Sequence, residues 1–215
     1  MFKNFIMCMF VMCMLVISGC VQTSFTEFSL SELEEFQYGT ENKDFLMTDG
    51  YLIFEISSEN EYNKSKGFIV ETLSKYFINP RNIMHSKKDS KDLVIVQVDV
   101  PILRTMNDDL VAMYYIYNND TLYFKLSPQK LSELNSEMSS AMGYGLNKVR
   151  NLEISLTMHN DSNMPSKYTI PDMFVNNVPT FGDRFELAID GKIDLTLTNF
   201  QVERALADPI EIFKM

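Results

Sequence analysis

The chain has 215 residues, 46% of them hydrophobic and 12% aromatic, and this composition excludes an intrinsically disordered chain. Its 19 basic and 29 acidic residues give a formal net charge of −10. Such a charge repels phosphate backbones, so we expect no nucleic-acid partner. All cysteines (Cys8, Cys13 and Cys20) lie within the first 20 residues, which leaves no thiol for disulfides, metal ligands or catalysis in the rest of the chain.

The N-terminal segment has the layout of an export signal. Lys3 is the one charge before residues 5–17, which are uncharged and mostly apolar. That length is typical of the hydrophobic region of a signal peptide and is short for a permanent membrane helix. The small residues Ser18 and Gly19 then precede Cys20 directly.

The four residues Ile17-Ser18-Gly19-Cys20 resemble the lipobox of bacterial lipoproteins, in which an apolar residue and two small residues precede a cysteine. Ile17 stands in place of the commoner leucine, and neither Cys8 nor Cys13 follows small residues. The resemblance implies cleavage between Gly19 and Cys20, a diacylglycerol on the Cys20 thiol and an acyl chain on the new amino group. An ordinary secretory signal and an uncleaved anchor are the alternatives.

This resemblance also implies a location. Two or three acyl chains hold a protein on a bilayer almost permanently, so we expect membrane anchoring in the cell envelope through Cys20. The residue after the cysteine is Val21 and not aspartate. In a Gram-negative host this favours the outer membrane, with the protein facing the periplasm.

Residues 20–48 are predicted to form a lipidated tether with one short helix. Ser29 is followed three residues later by Glu32, and Ser31 by Glu34, which is the spacing of a capping box at a helix start. Phenylalanines in this segment make it more apolar than a free linker, so the tether is expected to contact the folded domain.

Residues 49–103 are predicted to form a strand–helix–strand unit. Residues 51–57 are the first strand, and residues 67–77 carry apolar side chains at helical spacing. The following Asn79-Pro80 is expected to end that helix.

The second strand of this unit is predicted over residues 93–100, after a charged loop at residues 85–92. Alternate residues of this strand are valines, and the strand ends at Pro101. Its nearly continuous apolar sequence favours a central place in a sheet that is covered on both faces.

Residues 104–215 are predicted to form a mainly antiparallel unit. A hairpin over residues 110–126 turns at Asn118-Asn119-Asp120. A helix over residues 128–142 follows, with Ser127 as its cap and Pro128 at its first position.

The end of this unit contains the strongest hairpin pattern in the sequence. Residues 152–158 alternate between apolar and polar, as in a strand with one wet face. Two further strands, 185–189 and 192–197, flank Asp190-Gly191, the favoured two-residue turn. Thr198 then caps a short amphipathic helix.

No catalytic or metal-binding residues are predicted. Ser127 and Lys130 have the Ser-x-x-Lys spacing of penicillin-binding proteins, but no Lys-Thr-Gly accompanies them, and a helix cap explains Ser127. His85 and His159 are the only histidines and lie too far apart for a zinc motif. Acidic turns such as Asp108-Asp109 follow no calcium-loop spacing. We therefore predict no enzyme and no cofactor.

A cluster of tyrosines is the candidate binding surface. The first hairpin carries Tyr114, Tyr115, Tyr117 and Tyr123. Such a cluster could stack on a sugar or contact a partner, although tyrosine is also common in strands for reasons of propensity alone.

Together these patterns predict an α+β fold: a strand–helix–strand unit, then mainly antiparallel strands that could form a β-sandwich, with one or two amphipathic helices. The expected function is that of a non-enzymatic envelope lipoprotein, a scaffold or accessory subunit that contacts an envelope protein. A ligand-binding or adhesive module that uses the tyrosine hairpin is the alternative.

Overall fold

The computed structural model describes residues 21–39, 44–142 and 153–215. The strands in these ranges are β1 Val21–Ser29, β2 Phe45–Ile56, β3 Ile78–Lys88, β4 Lys91–Leu103, β5 Met113–Asn118, β6 Thr121–Leu126, β7 Glu153–His159, β8 Ser166–Ile170, β9 Phe174–Val175, β10 Val178–Pro179, β11 Asp183–Leu187, β12 Lys192–Thr196 and β13 Ile210–Lys214. The helices are α1 Leu30–Tyr38, α2 Glu59–Leu73, α3 Pro128–Met142 and α4 Asn199–Arg204. None of these four described helices is both long and apolar enough to cross a bilayer.

One large curled sheet contains all the described strands, so the fold is mixed α and β with strands predominating. The strand order is β10-β9-β12-β7-β1-β2-β4-β5-β6-β13-β8-β11, and β3 pairs with the first part of β4, on the side opposite β2. Pairing is continuous along this order and is not divided between the two sheets of a sandwich. One main hydrophobic cluster extends from Phe28 to Phe213.

The predicted tether is wrong in its first part, because β1 lies in the middle of the sheet. It pairs antiparallel with β2 and parallel with β7. Phe28 is buried in the main cluster and meets the ring of Tyr115 edge-on at 4.8 Å. The short helix is confirmed as α1, and its cap is Ser29, whose side chain accepts a hydrogen bond from the Glu32 backbone N–H.

The strand–helix–strand order of the next unit is confirmed, with one additional strand. Helix α2 begins after its cap Ser58, well before the predicted start, and ends at Leu73. The predicted charged loop is instead the tip of a β3–β4 hairpin, in which Asp89 and Ser90 adopt the positive φ angles of a two-residue turn.

The valine strand is β4, and its central place is confirmed. It pairs with β2 along nearly its whole length and with β3 on its other side. The four alternate valines from Val94 to Val100 are buried, whereas the side chains between them, such as Ile95 and Gln97, are partly exposed. Cover on both faces is therefore wrong for this strand.

The two predicted units join through their strands. The boundary predicted after residue 103 falls between β4 and β5, which pair in parallel through Ile102 with Tyr115 and Leu103 with Ile116. The predicted 110–126 hairpin is confirmed as β5–β6, with positive φ at Asn119 and Asp120.

The hairpin predicted around Asp190-Gly191 is wrong, although both strands exist. Strand β11 pairs with β8, whereas β12 pairs with β7 and β9. Asn160 is buried at this point, and its side-chain amide donates to the carbonyls of Met164, Leu187 and Ala188 at 2.9–3.1 Å. Its backbone also bonds to Asp190 and Gly191. Asn160 thus occupies the positions through which the two strands would have paired.

Candidate functional site

The predicted tyrosine surface is wrong for three of its four members. Tyr114, Tyr115 and Tyr117 are almost completely buried. The Tyr114 hydroxyl donates to Asp108 at 2.7 Å, and the Tyr115 hydroxyl lies 3.4 Å from Thr26 Oγ1. Burial raises the pKa of all three hydroxyls. Tyr115 and Tyr117 belong to the main core, and Tyr114 belongs to a smaller cluster with Leu103 and Val111, so none of the three can stack on a ligand.

Tyr123 is partly exposed, and it lines a groove that we identify as the candidate functional site. The groove has a volume of about 670 Å³ and runs between α4, the β9–β10 hairpin and the start of β13. Its walls include Phe174, Phe181, Phe200 and Arg204.

Three phenylalanines give the groove an apolar surface that is open to solvent. The exposed fraction is 39% for Phe174, 79% for Phe181 and 67% for Phe200. Isolated exposed apolar residues are ordinary, but several aromatic side chains around one concave surface are typical of a binding site. Carboxylates of Asp172 and Glu211 lie on the same walls and supply polar groups beside the rings.

Phe200 is held in place because α4 is firmly fixed. Thr198 and Gln201 form a reciprocal capping box at the start of this helix. Val202, on the other side of the helix, is fully buried in the main core. The Arg204 guanidinium lies 5.8 Å from the centre of the Phe200 ring, within the range of a cation–π contact. The exposed ring is thus presented by a short, well-anchored helix.

Phe174 belongs to a β9–β10 hairpin that is also fixed. Asn176 and Asn177 take the positive φ angles of its turn, 49° and 65°. The Asn176 backbone N–H donates to the carbonyl of Asp194, and its side-chain oxygen accepts from the Asp194 N–H. These two bonds tie the turn to β12.

Phe181 follows this hairpin on a loop that is held by hydrogen bonds from a buried threonine. The buried Thr180 hydroxyl donates to the carbonyls of Pro171 and Met173, at 3.1 Å each. Gly182 then adopts a φ of +77°, which a residue with a side chain would reach only under strain. The three rings therefore stand on backbone that is held by specific hydrogen bonds.

The buried Lys125 fixes the end of α4 from inside the molecule. Its Nζ donates to the carbonyls of Ala205 and Leu206, at 3.2 and 2.8 Å, and lies 3.8 Å from the Asp108 carboxylate. Positive charge at a helix C-terminus is favourable because the free carbonyls there carry partial negative charge. No sequence pattern marks this lysine, since it lies in an otherwise ordinary strand.

The residues of the rejected catalytic motifs have structural contacts. Ser127 is buried, and its Oγ accepts a hydrogen bond from the Lys130 backbone N–H at 3.3 Å, as a helix cap does. His85 bonds to Asp92 at 2.8 Å and faces the ring of Tyr62. His159 ends β7 and is partly exposed. Across residues 21–39, 44–142 and 153–215, no three histidine, cysteine, aspartate or glutamate side chains meet in a cluster able to hold a metal ion.

Sequence reasoning also missed the phenylalanine groove. Phe181 and Phe200 lie in loop or helix-start positions outside the alternating patterns, where a lone aromatic residue gives no signal by itself. The proposed lipid-bearing Cys20, with Gly19 before it, lies outside the described residues, and the first described strand begins at Val21.

Comparison with known proteins assigns a family but no activity. No curated protein and no solved structure gives a significant match to this chain. The family model described as "Domain of unknown function (DUF7424)" matches residues 22–214, which is most of the chain. The chain therefore belongs to the DUF7424 family.

Proposed function

We propose that this protein is a lipid-anchored, non-enzymatic protein of the bacterial cell envelope that binds a protein partner through the phenylalanine groove, as a scaffold or accessory subunit. The observation that carries the proposal is the presence of three exposed rings, those of Phe174, Phe181 and Phe200, on rigid backbone around one groove.

The composition of the groove favours a protein partner. Aromatic residues and arginine are enriched in protein–protein interfaces and supply much of their binding energy, whereas lysine and glutamate are depleted. The groove combines three phenylalanines with Arg204 and Tyr123. Because hydrogen bonds already hold the backbone that carries the rings, little backbone entropy remains to be lost on binding.

The proposed lipid anchor on Cys20 is inferred from the sequence. Ile17-Ser18-Gly19-Cys20 resembles a lipobox, and the family match begins only two residues after Cys20. We expect full-length protein to incorporate labelled palmitate and to sediment with membranes, and the Cys20→Ala variant to do neither. Unchanged labelling of Cys20→Ala would contradict lipid anchoring.

Affinity purification tests the groove. Tagged full-length protein is purified from its own host in mild detergent beside Phe181→Ser and Phe200→Ser variants, and co-purifying proteins are identified by mass spectrometry. Both side chains are mostly exposed, so these changes should leave folding nearly unaffected. We expect at least one stoichiometric envelope protein to be lost from both variants.

Phe45→Ser is the matched control, because Phe45 is also an exposed phenylalanine but is not among the groove residues. It should retain the partner. If all four proteins purify with the same set of envelope proteins, or if wild type purifies alone, the groove does not bind a protein partner.

A further inference from the structure

The end of the sheet at which β1 begins combines an apolar open face with lysines. Along this end, the open face of β1, β2, β4 and β3 carries mainly apolar side chains, with Glu55 paired to Lys91 among them, and the β3–β4 hairpin projects beyond it with lysines at its tip. We propose that this face rests on the surface of the bilayer, with the apolar patch among the lipid headgroups and the lysines on lipid phosphates. The inference rests on the lipid anchor of the proposed function.

Strand register defines the apolar patch. Phe25 pairs with Tyr51, and Ile53 pairs with Ile95, which pairs in turn with Met84. Side chains alternate between the two faces of a strand, and the residues between these ones (Leu52, Phe54, Val94 and Val96) are buried. The patch therefore lies on the face opposite the core, where its members are partly or largely exposed. Its defining residues are Phe25, Tyr51, Ile53, Ile95 and Met84.

The same face becomes polar farther from the start of β1. Gln97 and Arg81 lie at the level of Tyr51, and Asp49 and Asp99 lie one step beyond it; these side chains bind one another. Charged side chains would be costly in the headgroup region unless they faced water, whereas partly buried apolar ones are stabilised there. This change from apolar to charged gives the face a membrane side and a water side.

The hairpin tip supplies positive charge at the membrane side. Val94 is at the level of Phe54 and Val21 in the strand register. The hairpin continues for three more residues to Lys91, which pairs with Lys88. At about 3.3 Å per residue, the tip projects about 10 Å beyond the start of β1.

Two lysines of this tip are available to lipid phosphates. Lys91 is already paired with Glu55 at 3.0 Å, and Asp92 with His85. Lys87 and Lys88 are exposed and have no ion-pair partner within the described ranges; Asp89 is the remaining charge of the turn. Free lysines near an anionic surface are attracted to it even in a protein that is acidic overall.

The position of the proposed lipid anchor favours a bilayer, and not a protein, as the partner that covers the apolar patch. Cys20 is bonded directly to Val21, and Val21 is already paired with Phe54 of β2. An acylated Cys20 would therefore hold the sheet within a few ångströms of the headgroups, with no flexible linker to carry it away. Such a distance brings the end of the sheet that carries the patch within reach of the membrane surface.

Lipid-borne quenching tests the contact. Single cysteines replace Met84 in the patch and Ile189 at the opposite end of the sheet, two side chains that are both 49% exposed. Cys8 and Cys13 leave with the leader and the Cys20 thiol is blocked by lipid, so the new cysteine is the only labelling site. Processed, lipidated protein is labelled with an environment-sensitive fluorophore and reconstituted in phosphatidylethanolamine–phosphatidylglycerol vesicles that contain a nitroxide lipid.

We expect severalfold stronger quenching of the probe at residue 84 than of the probe at residue 189. Lys87→Glu/Lys88→Glu should reduce the quenching at residue 84 in these vesicles and much less in phosphatidylcholine vesicles. Lys167→Glu/Lys214→Glu, a matched pair of exposed lysines near the other end of the sheet, should leave it unchanged.

The outcomes separate this inference from the anchor itself. If the protein does not float with the vesicles, lipid anchoring and this inference both fail. If it floats but both probes are quenched equally, only the membrane contact fails. A probe at residue 84 that neither lipid nitroxide nor aqueous iodide can quench would mean that a protein or a second copy covers the patch, and would also overturn the proposal.

Discussion

At the scale of single residues, the buried Lys125 ties the core to the end of α4. Its amine satisfies carbonyls of Ala205 and Leu206 at the end of α4, and this helix presents Phe200 to the groove. An unsatisfied buried carbonyl costs about 1–3 kcal/mol. Lys125 thus connects the core to the groove.

We expect Lys125→Met to lower the free energy of unfolding by about 1–3 kcal/mol, because methionine fills the space but removes the donor to the Leu206 carbonyl, whereas the Ala205 carbonyl keeps its bond from the Leu126 backbone N–H. Chemical denaturation followed by circular dichroism measures the change. Lys167→Met is the control, since Lys167 is largely exposed and loses only a 3.9 Å contact with Glu186. Equal midpoints for the two variants would show that the Lys125 hydrogen bonds do not stabilise the fold.

At the scale of elements, α1 is capped from two directions. Its own Ser29 accepts from Glu32 N–H, and Asp161, far along the chain, accepts from the Ser31 backbone N–H at 2.9 Å and from the hydroxyls of Ser29 and Ser31 at 2.5 Å each. Burial raises the pKa of Asp161, but these hydrogen bonds outweigh it and lower the pKa to about 2. The helix start therefore favours the charged carboxylate.

This contact makes part of the stability depend on pH. The folded pKa of Asp161 lies below that of an unfolded aspartate, about 3.9, so its contribution is present above that value and is lost as the pH falls towards 2. We expect Asp161→Ala to cost about 0.5–1 kcal/mol at pH 6, because the side chain is exposed to solvent. The difference from wild type should shrink as the pH falls below about 4 and be mostly lost by about pH 2 in denaturation curves. Asp109→Ala, at an exposed aspartate outside this helix cap, is the control.

The elements also show what the sequence could and could not predict. The valine strand, the hairpin of β5 and β6, and the helix after Ser127 were predictable, because local periodicity and turn or cap residues determine them. The pairing of β11 and β12 was not, since Asn160, from a distant loop, takes the backbone positions that local turn chemistry assigned to a hairpin.

The groove shows the same division between local and distant causes. Thr198 was predictable as a cap, and with it the short helix that carries Phe200. Its juxtaposition with Phe174 and Phe181 depends on which strands meet in the sheet, and this has no local signature. The tyrosines failed as a surface for a similar reason: both faces of their hairpin are covered, so alternation along the strands does not distinguish buried from exposed side chains.

At the scale of the whole molecule, β1 joins two parts of the sheet. On one side lie β7, β12, β9 and β10, and on the other the remaining strands from β2 onward. Removing or loosening β1 should therefore separate strands that lie far apart in the sequence. A strand in the middle of the sheet contributes to the free energy of unfolding, whereas a tether does not. The substitution of one buried side chain of β1 is therefore enough to distinguish the two.

Phe28 is that side chain, because it points from β1 into the main core against Tyr115. Phe28→Ala should lower the free energy of unfolding by about 3–5 kcal/mol, as is typical when a fully buried phenylalanine leaves a cavity. Phe45→Ala, at an exposed phenylalanine at the start of β2, should change it by less than about 1 kcal/mol. The two are compared by denaturation of the full-length protein. If Phe28→Ala were as stable as wild type, residues 21–29 would be a tether after all, and the short path from Cys20 to the sheet would no longer hold the molecule against the membrane.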